Sequence, residues 1–198
     1  MTSATRTAPH RLARAAQTAI AAATVSDVFR AVALRDHYLH PSDASLRRSG
    51  LVSTVFVYLM TLTTVLFLVW LARSRRNAQE LSPEAAVPSP GWTIGAWFIP
   101  VVNLVAPRRC VLDIGRAGSP SWEKRDTTLV NLWWAAWIGH ALLLTAANLA
   151  APRSPALLVV TEALFLAAAV LVGLVIERVT ARQAAALRVT VPVAAPQP

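Results

Sequence analysis

Three titratable side chains stand inside stretches that are otherwise apolar: Asp27, His140 and Glu162. A charged group in hydrocarbon costs on the order of 3 kcal/mol on insertion scales, so such a group finds a partner or gives up its charge. Counted from the nearer end of its stretch, Asp27 lies about seven residues deep, Glu162 about six and His140 about ten, or roughly 10 to 15 Å at helical rise. Two arrangements are open. In one, Asp27 pairs with Arg30 one turn on, Glu162 is protonated or reaches the interface, and neutral His140 bonds a carbonyl. In the other, Glu162 and His140 meet with Asp27 nearby, forming a proton-responsive polar site.

Other chemistry is sparse. Cys110 is the single cysteine, so an internal disulfide and a cysteine metal site are both ruled out. His10, His37, His40 and His140 have no metal-ligand spacing, and no phosphate-binding, dinucleotide-binding or nucleophile-elbow motif occurs. The expectation is no metal, no cofactor and no enzymatic activity. Asp113, Glu123 and Asp126 are the best acid candidates outside the apolar stretches, and none has an obvious catalytic companion.

The elements that would carry these residues are long and apolar. The chain of 198 residues is 55% hydrophobic and only 15% charged, against roughly a quarter charged in soluble domains. Residues 51–72 and 129–150 contain no Asp, Glu, Lys or Arg, and residues 156–176 contain only Glu162. Runs of about 20 apolar residues suit a bilayer-crossing helix, whose backbone polar groups are all paired internally. Residues 16–34 form a fourth, weaker span with Asp27 and Arg30 inside it. Its Ala15, Ala19 and Ala23 make a small-residue face suited to close packing. A signal peptide is the alternative there, but no A-x-A-like site closes the run.

The net charge of +9 is unevenly placed. Arg6, Arg11 and Arg14, then Arg73, Arg75, Arg76, Arg108, Arg109, Arg116, Lys124 and Arg125, then Arg178, Arg182 and Arg188 fall on one side of a four-span topology. Arg35, Arg47, Arg48 and Arg153 fall on the other. The positive-inside bias puts both termini in the cytoplasm of a multi-pass cell-membrane protein. The expected organisation is a polar tail over 1–15, a membrane domain over 16–178, and a cytoplasmic helix extension with a disordered tail over 179–198. An outer loop is expected over 35–50 and a tight turn over 152–155. The partners implied are the bilayer, anionic lipid at the basic face, and a second copy or another membrane protein. Nucleic acid is not expected, because no aromatic-interleaved basic motif accompanies the charge.

One stretch breaks the pattern. Gly91–Pro107 is uncharged and nearly all apolar, yet carries Pro100 and Asn103. A straight helix of this length reaches about 25 Å, short of a hydrocarbon core of roughly 30 Å. Proline removes a helical N–H and clashes with the preceding turn. Both flanks lie on the basic side, which favours a re-entrant or interfacial segment over 91–118. A fifth span and a cytoplasmic helix under the bundle are the alternatives. Trp70, Trp92, Trp97, Trp122, Trp133, Trp134 and Trp137 all fall towards the same side, as interface anchors or as the wall of a ligand pocket.

The spaced residues Gly91, Trp92, Gly95, Trp97, Pro100, Asn103 and Pro107, with the later run of Trp133, Trp134 and Trp137, resemble an actinobacterial membrane family catalogued as domain of unknown function 4328. The likeness spans roughly Leu51 to Arg178. It implies a polytopic membrane protein with a re-entrant core, and with the apolar runs the expected fold is all-α, four transmembrane helices with a broken re-entrant or interfacial segment between the second and third. It implies no activity. The expected function is therefore a non-enzymatic binding, scaffolding or regulatory module, with a small oligomeric transporter or proton-responsive component as the alternative.

Overall fold

A computed structural model describes residues 7–149 and 155–190. All regular structure among them is helical: α1 (His10–Leu39), α2 (Asp43–Leu81), α3 (Pro90–Gly95), a 3-10 turn (Val102–Leu104), α4 (Ala106–Ala117), α5 (Lys124–Leu149) and α6 (Pro155–Thr190). Three of these are long and apolar enough to cross a membrane, over Asp43–Leu81, Lys124–Ala147 and Val159–Val189. The expected first span, α1, is not among them. Its alanines, Asp27 and Arg30 hold down its hydropathy, and its buried face of Ala13, Ala16, Ala19, Ile20 and Ala23 turns towards neighbouring helices instead.

The four long helices form an antiparallel bundle in which α1 lies along α2 and α6, and α5 along α6. The expected loop over 35–50 is corrected by the structure. Helix α1 continues to Leu39 and α2 already starts at Asp43, leaving only His40–Ser42 between them. The reason is local. Ser42 caps α2 by accepting the Ser45 N–H at 3.1 Å, while the Ser45 hydroxyl accepts the Ser42 N–H at 3.0 Å. This reciprocal pairing satisfies two backbone donors and starts the helix at once. Similarly, α1 begins at His10, within the stretch read as a polar tail, and α6 runs on to Thr190. The tight turn expected over 152–155 lies mostly outside the described residues, as does the tail beyond 190.

At the opposite end of the bundle the core is dense. Trp70 and Leu71 of α2, Val111 and Ile114 of α4, Val130 of α5, and Val175, Ile176 and Val179 of α6 are almost completely buried. Helix α4 is amphipathic and turns Val111, Leu112 and Ile114 inward. Towards the hairpin at 40–42 the long helices instead expose Leu51, Val55, Val57, Tyr58, Val159 and Val160. Only 22% of the most apolar window of α2 is buried within the protein. An apolar surface this extensive requires a non-aqueous environment or further protein to cover it.

Helices α2 and α5 make little direct backbone contact. Into the space between them comes the segment from α3 to α4. Ser89 caps α3 by accepting the Trp92 N–H at 3.2 Å, with Pro90 at the first helical position, where its missing N–H costs nothing. The helix stops after one turn and the chain reverses at Val101. There the Val102 N–H donates to the Pro100 carbonyl at 2.8 Å, and Val101 sits at φ 67°, ψ −50°. This is a γ-turn of the rare, strained hand. Val101 is the only non-glycine residue with positive φ among those described.

Candidate functional site

The broken segment builds one site. Its Trp97 ring packs edge-on against Phe67 of α2, with centroids 5.1 Å apart, and against Trp134 of α5 at 6.0 Å. Trp133 stands 6.1 Å from Phe67 and 5.4 Å from Trp134, closing a ring of aromatic side chains across the gap between α2 and α5. Aromatic pairs in such edge and tilted arrangements are worth about 0.5–1.5 kcal/mol beyond their area. The Trp134 indole N–H donates to the Leu104 carbonyl at 2.9 Å, tying α5 to the 3-10 turn. Arg108 donates through Nε to Asn131 Oδ1 at 2.8 Å and adds a second tie to α5. Pro107 is buried at the start of α4. Gly91 and Trp92 are exposed and stand apart from the ring.

The three titratable residues lie farther along the bundle. Asp27 is 1% exposed and accepts from Arg30 Nε at 2.7 Å, with a second contact from the terminal guanidinium nitrogen. The same guanidinium lies 3.8 Å from Glu162 of α6 and 4.7 Å from the centroid of the Phe56 ring. Arg30 is therefore the hub: two carboxylates from two helices share one cation, which rests on an aromatic face. His140 is held differently. Its Nδ1 pairs with the Thr161 carbonyl at 2.9 Å, and its ring lies 5.1 Å from Phe165 and 6.2 Å from Trp137. The structure brings Asp27 and Glu162 together through Arg30. It keeps His140 one residue away along α6, on the backbone; among the described residues no hydrogen bond or ion pair joins His140 to Glu162. Arg30 was legible as a partner for Asp27 at helical spacing. Phe56 carried no sequence signal for its place under the guanidinium.

A third cluster closes the dense end. Asp126, at the start of α5 and buried, accepts from Arg182 at 3.0 Å and lies 3.3 Å from Arg178, both on α6. Glu123 pairs with Arg182 at 3.2 Å and Arg125 at 3.1 Å, and these bonds hold its carboxyl below its ordinary range. On α4, Cys110 is buried, and burial with the nearby Asp113 carboxylate pushes its thiol up to about 11. Asp113 itself is pushed up by burial, against the pull of Arg116 and Arg109. Gly115 is required where it stands, because a Cβ there would collide with the Trp122 ring. Among the described residues no group of three His, Cys, Asp or Glu side chains could hold a metal ion.

An all-helical bundle with three helices of membrane-crossing length and apolarity, exposing much of that surface, is consistent with an integral membrane protein. The chain belongs to the family described as Domain of unknown function (DUF4328), whose match covers residues 30–181. That match takes in Arg30, the aromatic ring, His140 and Glu162, and leaves Asp27 outside. No curated protein matches the chain. No solved structure matches it.

Proposed function

We propose that this chain is a non-enzymatic integral membrane module with four spans, in which 91–118 is a re-entrant and interfacial plug and both termini are cytoplasmic. The observation that carries the reading is the route of that segment. It leaves α2 at the dense end, reaches the level of Phe67 and Trp133, turns at Val101 and comes back as α4 at the same end. Irregular backbone at such depth is tolerated only where protein covers it; the aromatic ring covers the Trp97 side of the segment, and its exposed Phe98, Ile99 and Val101 call for a further protein surface such as a second copy. Helix α1 serves as the first span because its polar residues face α6 rather than lipid: Asp27 and Arg30 meet Glu162, and Gln17 donates to the Gly173 carbonyl at 2.9 Å. The exposed Arg76, Arg109, Arg116, Lys124 and Arg125 at the dense end favour anionic headgroups, at about 1 kcal/mol per basic residue near the surface.

Single cysteines in a Cys110→Ser background test the topology. His10→Cys, Ala44→Cys, Ala86→Cys and Lys124→Cys are all at exposed positions. Only Ala44→Cys is expected to react with a membrane-impermeant thiol reagent in intact cells. Reaction at His10→Cys from outside removes α1 as a span, and Ala86→Cys and Lys124→Cys on opposite sides make 91–118 a fifth span.

A second reading, a proton-responsive component or small oligomeric transporter, is favoured by one observation. Two carboxylates share the single Arg30 guanidinium inside the bundle, a charge balance that uptake of one proton would change.

A further inference from the structure

The outer seam between α5 and α6 carries a groove whose two ends differ in chemistry. At the dense end its walls are Lys124, Arg125 and Arg178, and along its floor lie Leu129 and Leu132 of α5 and Leu174 of α6. The distance from Lys124 to Leu132 is about 12 Å at helical rise. Leu132 and Leu174 are about half exposed, and Val170, one turn further along α6, is exposed as well. The apolar floor therefore opens outward and continues away from the basic end. The charges at that end do not cancel. Arg125 and Arg182 pair with Glu123, and Arg178 and Arg182 with Asp126. Glu177, the one acid lining the groove, pairs with Arg14 of α1. Lys124 is exposed and forms no ion pair among the described residues. With Lys124, five cations stand against three carboxylates, an excess of two positive charges. The Arg178 side chain also stays 53% exposed while bonded to Asp126, and a guanidinium engaged at one edge has donors left for a second acceptor.

We infer that this groove, given the membrane reading with the dense end at headgroup level, is a binding site for one anionic glycerophospholipid. Its phosphodiester is held by Lys124 and Arg178, and an acyl chain lies along Leu129, Leu132 and Leu174. Arginine meets phosphate oxygens through charge-assisted hydrogen bonds, and lysine adds a mobile point charge. Basic pockets between membrane helices on the cytoplasmic side recognise lipid headgroups. The stems of both side chains can rest on apolar surface while their charged ends reach the interface. A soluble anion would use the mouth and leave the leucines bare. An uncharged lipid would use the floor and leave the excess charge unmatched. An amphiphile with both parts uses the whole groove. The seam between α1 and α2 makes the contrast: its groove, walled by Val25, Phe29, Leu51 and Val55, has no charged residue in its lining and no means of choosing among lipids.

The test places the full chain in phosphatidylcholine nanodiscs. A fluorophore is attached at Ala135→Cys, an exposed position one turn beyond Leu132, in a Cys110→Ser background. It is quenched by lipids with a nitroxide on the acyl chain, either phosphatidylglycerol or phosphatidylcholine. Half-quenching should need about tenfold less of the labelled phosphatidylglycerol, the selectivity expected of one to two basic residues near a headgroup. Lys124→Gln should lower that preference to about twofold. Arg76→Gln, which removes an exposed dense-end charge outside the groove, should leave it unchanged. Equal quenching by the two lipids would make the groove part of the ordinary lipid shell, overturning the site and leaving the membrane reading intact. A preference that survives Lys124→Gln, or that falls equally in Arg76→Gln, would be an effect of diffuse surface charge and overturns the site in the same way. No quenching by either lipid would take Ala135 out of the bilayer and overturn both the site and the membrane reading.

Discussion

Arg30 decides the energetics of the site between α1 and α6, because it faces both Asp27 and Glu162. Removing one partner of a buried ion pair leaves an uncompensated charge and costs about 3–5 kcal/mol. Arg30→Leu is therefore expected to destabilise the chain by about 3 kcal/mol in a detergent unfolding titration. Glu162→Gln in the same background should recover part of that loss, since only one orphaned carboxylate remains. Plain additivity would show that Glu162 does not depend on Arg30, despite their 3.8 Å approach. His140 is expected to behave as a separate unit. It is bound to the Thr161 backbone, so a Glu162→Gln and His140→Ala cycle should give a coupling below about 0.5 kcal/mol, the scatter usual for independent sites. The sequence placed these residues at similar depth in three helices and left two pairings open. Depth follows from counting residues, whereas pairing depends on helix rotation, and α1 and α6 supplied that only in the structure. Cys110 marks a similar limit. Its position beside Arg108 and Arg109 suggests a thiol exposed at the membrane surface, but α4 turns it inward to 1% exposure. As a raised, buried thiol it should resist a water-soluble reagent even in opened cells, and react at the rate of local unfolding.

The broken segment shows how an element can be both foreseen and misjudged. Pro100 and the length of Gly91–Pro107 made a continuous span unattractive, and the basic flanks indicated one side for both ends. The chain does break, but helix α3 has already ended at Gly95, and the reversal is made at Val101. No pattern rule points to a β-branched residue there, because valine at positive φ is unfavourable on its own account. The aromatic ring around Trp97 and the tie from Trp134 to Leu104 hold the turn in place against that preference. Strain of this kind is worth about 1–3 kcal/mol, and glycine would be free of it. Val101 is also 78% exposed, so its side chain contributes little packing. Val101→Gly is expected to raise stability by about 1 kcal/mol after the entropic cost of glycine is subtracted. Thermal unfolding in detergent measures this directly, and a loss of 1 kcal/mol or more would mean the γ-turn is not the conformation adopted.

Across the whole molecule, packing is lopsided: interior contacts gather at the dense end, while the other half of each long helix presents apolar surface outward. The sequence showed this as charge asymmetry and a one-sided set of tryptophans. It did not show that Asp126, Glu123, Arg178 and Arg182 would join the start of α5 to the end of α6, since residues some fifty positions apart are matched only by the fold. Hydrogen bonds across the same end extend the closure to α2. Trp70 donates to Thr180 at 3.0 Å, and Gln183 to the Ser74 carbonyl at 2.9 Å. This end should therefore set how stability responds to acid. Glu123 is held below its ordinary value of 4.5, first by its bond to Arg182 and then by Arg125. Its folded form binds the proton less tightly than its unfolded form, so its contribution is fully present above about pH 4.5 and is lost as pH falls through the depressed value. Asp113 works in the opposite sense. Burial raises it above 3.8, so its contribution is present in acid and is lost as pH rises through its folded value. Glu123→Gln is expected to flatten the acid limb of a stability profile recorded between pH 3 and 7, converging with the parent chain at the acid extreme. Asp113→Asn should instead gain on the parent towards pH 7 and converge with it in acid. Profiles that shift in parallel at every pH would show that neither carboxyl changes its proton affinity on folding.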